Sequence, residues 1–277
     1  MLTLRVGVAA LRLDPFTQAR VHTAAMRGLL ASFVVLLLIA LPLWAASGWV
    51  EEQQLGPYLI RSEFALRDVS DLVSDLGDLQ TDLETMLSLK CEPTEIQIHL
   101  FRSRSTYVNY LSKRVPDGTK RRALFVQGTD AGRVYAYRTR DLDTDVRHET
   151  THALLHTALP FVPLWLDEGF AEYFEASPGL REKHHPHLGE IRRALWLGWK
   201  PEIEKLEAKR EMLDMGKDDY RDAWGVIHFI LHGPPAAREA LAAYFDEIKS
   251  GKAPTPLSQH LRRRIPNLDQ KIISHLK

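Results

Sequence analysis

The sequence predicts an α+β fold in which a small N-terminal sheet with covering helices precedes a mostly helical half. Two patterns support this prediction. Segments with the apolar–polar alternation of half-buried strands occur before residue 138. From residue 143 onward, apolar residues recur at helical spacing almost to the end of the chain. A chain in which strands come first and helices follow is typical of this fold class.

The first fifty residues are predicted to be a targeting or anchoring segment. Residues 28–49 carry no charge and number 22, which suffices for a helix that crosses a bilayer. Four arginines precede this run and two glutamates follow it, so we expect a cytoplasmic N-terminus and a chain that otherwise lies outside the cytoplasm. We therefore predict a cytoplasmic tail plus a single transmembrane anchor over residues 1–50. The alternative is a cleaved signal peptide beginning at Met26, which would give a secreted or periplasmic protein.

Residues 51–277 are predicted to form one domain, because roughly 225 residues suffice for a single full core. Cys91 is the only cysteine, so the domain has no internal disulfide, and we expect this residue to be buried or half-buried. The formal net charge is zero, and the basic run Arg262–Arg264 is too short to indicate nucleic-acid binding. The sequence does not indicate an oligomeric state.

In the N-terminal half, predicted strands alternate with amphipathic helices. These elements are a strand over 58–64, a long helix from residue 68, a strand over 95–101, a helix capped by Ser105 and ended by the turn 116–118, and a hairpin of strands over 123–127 and 132–137. The helical half follows. Its predicted helices begin near residues 143 and 165, and then cover 191–199, 202–212, 220–231, 236–249 with Gly251 as its stop, and one or two short stretches within 257–276.

The most specific motif is the segment His148-Glu149-Thr150-Thr151-His152. On a helix its two histidines lie one turn apart on the same face, where neutral imidazoles can bind one Zn²⁺. Glu149 lies between them and is placed to take a proton from water at the metal. A third ligand must come from elsewhere, and Glu168 is the obvious donor. Two histidines, one glutamate and an open fourth position are typical of catalytic rather than structural zinc sites.

The surrounding sequence favours a zinc site over a surface helix with two solvated histidines. Acidic and hydroxyl side chains at 143–145 can begin a helix, and the segment after them is apolar enough to be buried. Buried histidines need polar partners, and a metal provides them. Pro160 and Pro163 then end the helix. An antiparallel return after this short loop would bring Glu168 beside His152.

The segment Trp165-Leu166-Asp167-Glu168-Gly169-Phe170-Ala171-Glu172-Tyr173 resembles the W-L-x-E-G-x-A-E-Y pattern of the gluzincin zinc metallopeptidases. The resemblance implies a zincin-like catalytic half in which Glu168 is the third zinc ligand. Fifteen residues separate His152 from Glu168, a shorter gap than in the aminopeptidase gluzincins. In this respect the chain resembles the peptidase MA-like families, in particular the DUF1570 group of bacterial proteins. No G-x-M-E-N-like segment is present, so a classical aminopeptidase is not supported.

Several further residues are candidates for supporting roles. The resemblance implies that Tyr220 donates a hydrogen bond to the developing oxyanion, with His228 as a weaker candidate, and that the strand 132–137 is an edge that pairs with an extended substrate. Glu172, one turn past Glu168, could orient a zinc-bound histidine or could be a partly exposed acid.

Other polar residues near the motif are predicted to stay away from the metal. We expect His156 to hydrogen-bond rather than to bind metal, because a fourth protein ligand would close the site. Asp167 points about 100° away from Glu168 on a helix and is not expected to be a ligand. We expect the cluster His184, His185 and His187 to lie in a solvated loop.

Together these features predict an exported, membrane-anchored zinc metallopeptidase that acts on a peptide or protein substrate. His148, His152 and Glu168 are the predicted metal ligands, and Glu149 and Tyr220 are the predicted catalytic residues. One alternative is a non-catalytic zinc-bearing module that binds at the cell surface, although such a module has no use for a base at position 149. Another is a zinc hydrolase of cell-wall amide bonds, for which no wall-binding repeat is present.

Overall fold

The computed structural model describes residues 48–183 and 185–277. The predicted cytoplasmic tail and nearly all of the predicted anchor or signal segment lie outside these residues. Within the part of the chain that is described, none of the helices combines the length and the apolar character that a bilayer-crossing helix requires.

The described part of the N-terminal half contains a mixed sheet of five strands in the order β1-β2-β3-β5-β4. The strands are β1 (Glu51–Leu55), β2 (Tyr58–Ser62), β3 (Ile96–Phe101), β4 (Ala123–Gln127) and β5 (Gly132–Tyr137). Strands β2, β3 and β5 run parallel, whereas β1 and β4 pair antiparallel with β2 and β5. The predicted hairpin is thus present, but β4 and not β5 forms the edge of the sheet.

Three helices cover the two faces of the sheet: α1 (Ser70–Leu87), α2 (Arg104–Leu111) and α3 (Leu142–Ala158). The leucines of α1 and the apolar side of α3 share one core with Ile98 and Val134, which pair across β3 and β5. On the opposite face, α2 packs on a separate aromatic cluster that includes Phe101, Tyr107 and Tyr135. The side-chain alternation of β3 therefore serves two cores at once.

The second half of the chain is helical, as predicted, and the α+β fold class is confirmed. Its helices are α4 (Leu164–Phe174), α5 (Pro186–Trp196), α6 (Ile203–Glu207), α7 (Lys217–His232), α8 (Pro235–Lys249), α9 (Leu257–Arg264) and α10 (Leu268–Leu276). The largest buried side chains of this half include Trp165 on α4 and Trp224 on α7. The basic run Arg262–Arg264 ends α9, where Arg262 pairs with Glu204 and Asp269.

The structure departs from the predicted elements in several places, including α5, which begins at Pro186 and ends at Trp196 instead of covering 191–199. Strand β1 was not predicted, because its sequence Glu-Glu-Gln-Gln-Leu has no apolar alternation; among the described strands it pairs with β2 alone. Ser103 rather than Ser105 caps α2, since its Oγ accepts the Thr106 N–H at 3.3 Å. The helix predicted over 202–212 is the short α6 followed by a separate 3₁₀ turn, Met212–Asp214.

The close approach of α4 to α7 depends on Gly169. A Cβ at this position would lie 2.9 Å from Ile227 Cγ1 and 3.3 Å from Ala223 Cβ, well inside normal contact distances. We expect Gly169→Val to lower the free energy of unfolding by about 1–3 kcal/mol through overpacking. Chemical denaturation in the presence of a metal chelator measures this effect without a contribution from bound metal.

Gly179→Val is the matched control, because a Cβ at Gly179 meets nothing within 4 Å. An unfolding free energy for Gly169→Val equal to that of the control would contradict the packing argument.

Candidate metal centre

Two neighbouring helices bring the three predicted metal ligands together. His148 and His152 lie one turn apart on α3, and α4 returns alongside after the short loop that contains Pro160 and Pro163. Glu168 Oε2 is 3.6 Å from His148 Nε2, and Glu168 Oε1 is 3.8 Å from His152 Nε2. One donor atom from each of these residues lies within 4.8 Å of the other two.

These separations fit a metal ion better than they fit direct hydrogen bonds. Donor atoms around a tetrahedral Zn²⁺ with bonds of about 2.0–2.1 Å lie about 3.4 Å apart. Both measured distances between Glu168 and the imidazoles are slightly longer than this value and beyond ordinary hydrogen-bond length. The donor set, two imidazole nitrogens and a carboxylate oxygen, is also one that zinc prefers. The three side chains can therefore hold a metal ion.

The second nitrogen of each imidazole contacts a carboxylate on or just beyond α4. His148 Nδ1 lies 2.9 Å from Glu175 Oε2, and His152 Nδ1 lies 2.9 Å from Asp167 Oδ1 in an ion-pair contact that lacks ideal hydrogen-bond geometry. Carboxylates in these positions fix the tautomer that leaves each Nε2 as the donor atom for a metal. The supporting pair was not identified from the sequence.

The buried cluster is strongly charged. Burial lowers the pKa of His148, but the neighbouring carboxylates of Glu168 and Glu175 outweigh burial, and the net shift is upward. Burial likewise raises the pKa of Asp167, yet His152 and His156 outweigh it and hold that pKa below its usual range. Burial also raises the pKa of Glu175, but His148 and His185 outweigh burial and lower that pKa. Asp167 and Glu175 therefore remain ionised, which suits a site for a cation.

Glu149 reaches from α3 to the edge of the sheet. Its Oε2 accepts a hydrogen bond of 2.7 Å from the backbone N–H of Phe125 in β4. Its Oε1 accepts none from the described residues and remains available for chemistry. Beside Glu149 is a cavity of about 400 Å³. The cavity is lined by Arg121, Arg122, Ala123, Asp145, His148, Glu149, Glu172, Glu175, Met212 and Tyr220.

Tyr220 lies near the start of α7 and is brought to this cavity, as its predicted role requires. Burial raises its pKa to about 12, and the charges of Glu168 and Glu172 add to the shift. The phenol therefore keeps its proton near neutral pH and can act as a hydrogen-bond donor. Its role in catalysis stays a prediction.

Glu172 is not the residue that orients a metal-binding histidine. Its Oε2 contacts His187 Nε2 at 2.7 Å, whereas Glu175 contacts His148. Glu175 follows Glu168 by seven residues, which is about two helical turns, so the two carboxylates lie on a similar face. That spacing was the signal in the sequence that could have identified Glu175.

Asp167 is not among the grouped donor atoms, as expected, but it does contact the His152 imidazole on its Nδ1 side. Asp167 and Glu168 point in different directions on α4, but Asp167 can still support the imidazole, because the two ring nitrogens also point in different directions. The second carboxylate oxygen of Asp167 contacts His156 Nε2 at 3.0 Å, which agrees with the expectation that His156 forms hydrogen bonds.

The histidines after α4 are not a solvated cluster, so that prediction was wrong for the two described members. His185 is buried and stacks on Trp224 with 4.8 Å between ring centroids. His187 contacts both Glu172 and Glu190. His184 lies outside the described residues. The chain after α4 folds back onto the core. The residue composition of this segment does not predict that.

His228 is not one of the described residues that line the cavity. Its ring contacts His275 Nε2 at 2.9 Å and the backbone carbonyl of Glu182 at 2.8 Å. Burial lowers its pKa, so the neutral form is favoured. It is therefore not a substitute for Tyr220.

Neither a protein-family model nor a curated protein matches the chain. The resemblance to the DUF1570 group therefore stays a prediction. Among solved structures, the chain is similar to the M1 zinc metallopeptidase from Deinococcus radiodurans, at 16% identity over 82% of this chain and 50% of that chain, with a TM-score of 0.46. A mutant form of that enzyme gives 15% identity, 83% and 51% coverage, and a TM-score of 0.47. The chain thus spans about half the length of these structures, and values this low establish neither a shared family nor a shared activity.

Removal of either supporting carboxylate should weaken metal binding. We expect Asp167→Asn and Glu175→Gln each to reduce zinc affinity by about 10–100-fold, because each substitution removes the charge that orients an imidazole. Competition against a chromophoric chelator measures the affinity.

The matched control is Asp78→Asn, which changes an exposed carboxylate on α1 that lies outside the site. Zinc affinities of Asp167→Asn and Glu175→Gln that equal the affinity of this control would exclude the supporting role.

Proposed function

We propose that this protein is a zinc-dependent peptidase that hydrolyses peptide bonds. The observation that carries the proposal is the convergence of His148, His152 and Glu168 beside a cavity that also exposes Glu149. A base next to a three-ligand metal site is the arrangement that metal-assisted hydrolysis requires. The proposal includes the sequence-based expectation of an exported chain with an N-terminal anchor, which rests on the uncharged run 28–49 and the charges that flank it.

The number of protein ligands favours a catalytic over a structural site. Structural zinc sites are closed by four protein ligands, whereas catalytic sites have three and keep one position open. Within the described residues, the group around Glu168 offers three donors. A second group of possible donors in the described residues, Glu172 and Glu175 with His148, includes neither His152 nor Glu168. The open position would face water and substrate.

A bound Zn²⁺ supplies Lewis acidity, which polarises a carbonyl group and makes water a nucleophile near neutral pH. Glu149 takes a proton from the attacking water on Oε1, while Phe125 N–H holds Oε2 in place. The water oxygen forms a bond to the carbonyl carbon. Glu149 then gives the proton to the amide nitrogen as the carbon–nitrogen bond breaks, and the carboxylate is restored.

Tyr220 and strand β4 would position the substrate and stabilise charge. The Tyr220 hydroxyl donates to the carbonyl oxygen as negative charge develops there. In β4, Phe125 directs its N–H away from β5, and the backbone groups of a strand alternate, so Ala123 and Gln127 face outward as well. These outward groups can pair with an extended peptide.

The first test of the proposal is the loss of the base. Purified protein should contain about one zinc per chain. Glu149→Gln should keep zinc affinity but lower kcat/KM by about 10²–10⁴-fold, because it removes the proton acceptor. Cleavage of a mixed peptide library, followed by mass spectrometry, measures the activity.

Glu239→Gln, an exposed substitution on α8, is the matched control and should match wild type. Equal cleavage by Glu149→Gln and the control would contradict the mechanism. Zinc binding without cleavage of any peptide would favour the non-catalytic binding module instead.

A second test concerns the phenol. We expect Tyr220→Phe to lower kcat by about 10²–10³-fold with little change in KM, because the hydrogen bond strengthens only in the transition state. Steady-state kinetics on a cleaved peptide separate the two constants. Tyr137→Phe, in the aromatic cluster beneath α2, is the control and should leave both constants unchanged. A kcat for Tyr220→Phe equal to wild type would remove Tyr220 from the mechanism.

A further inference from the structure

Two large apolar side chains project into solvent at the end of α5. Trp196 and Leu197 are each 90% exposed, although both are residue types that folding usually buries in part. They are neighbours in the chain and are distant in sequence from the metal ligands. A pair of this kind adds no stability to the domain as it stands, so its exposure calls for another explanation.

The backbone around this pair is well ordered, so the exposure is not that of a loose loop. The N–H groups of Leu197 and Trp199 donate to the Ala194 carbonyl at 2.9 and 3.0 Å. Gly198 has a φ of +86°, which allows the tight turn that ends the helix. The Trp199 indole N–H donates to Asp222 Oδ1 at 2.9 Å and ties the turn to α7.

Three cationic side chains lie within four residues of the exposed pair in the chain. Arg192, Arg193 and Lys200 are all exposed, and none of them forms an ion pair within the described parts of the chain. A groove of about 420 Å³ lies beside the turn, and Trp196 forms part of its wall. The groove is lined by Arg192, Leu195, Trp196 and Lys277. The surface therefore combines an apolar tip with a positively charged rim.

We propose that this turn inserts into the headgroup region of an anionic lipid bilayer. Tryptophan is enriched at the membrane–water interface, and lysine and arginine are attracted to anionic headgroups. A second copy of the chain or another protein fits less well, because a stable interface covers about 800 Å² on each partner and two side chains offer far less. The proposal depends neither on the zinc chemistry nor on the predicted anchor.

A fluorescent probe at the tip tests insertion directly in the full-length protein. Leu197→Cys is labelled with nitrobenzoxadiazole, and the protein is reconstituted in phosphatidylcholine vesicles with or without phosphatidylglycerol. Native Cys91 is buried, and burial raises the pKa of its thiol to about 11, so it should react little. Labelled Lys252→Cys, an exposed position after α8, is the control.

With anionic vesicles, we expect the emission of the probe at position 197 to rise several-fold and to be quenched by doxyl-labelled lipids. The probe at position 252 should change little. Replacing Arg192, Arg193 and Lys200 by Glu, or adding high salt, should reverse the effect. Three results would overturn the proposal: no quenching at position 197, equal quenching in neutral vesicles, or an emission change that depends on protein concentration without vesicles.

Discussion

The packing of α4 against α3 is the constraint on which the rest of the structure depends. The interface buries imidazoles on one side and carboxylates on the other, and a buried charge without a partner is costly. Each contact therefore fixes the relative position of the two helices. The short loop with Pro160 and Pro163 limits how the chain can return, and Gly169 lets the outer side of α4 lie close to α7. The donor atoms converge because the charge pairing, the short loop and the close helix packing all favour the same arrangement of α3 and α4.

The sheet contributes to the same site through its edge. Strand β4 is the last described strand on the side of β5. Ala123 at its start lines the cavity, and the outward N–H of Phe125 contacts Glu149. The contact between Phe125 and Glu149 joins this edge to α3. The N-terminal sheet and the helical half therefore meet at the candidate base, although they follow different sequence patterns. The separate aromatic core beneath α2 supports the sheet from the other face.

Local patterns predicted much of this structure, whereas long-range arrangements were harder to predict. Spacing over fewer than about thirty residues predicts the hairpin of β4 and β5. Spacing over a similar range predicts that His148, His152 and Glu168 come together. The order of strands does not, because it depends on β3 pairing with β5 across a long connection. Strand β1 carries a polar sequence that only its partner makes extended. His185 acquires its contacts from the fold of the segment after α4, whereas the spacing between Glu168 and Glu175 along one helix is a local signal.

The support that Glu149 receives comes from a main-chain N–H rather than from a side chain. Every amino acid except proline can supply that donor, so the residue type at position 125 is not constrained by the contact. Substitutions along the cavity-facing edge can accumulate without displacing the carboxylate. Strand β4 is therefore a place where selectivity for different ligands can diverge among descendants of this chain, or be redesigned in the laboratory, while the chemical centre stays constant.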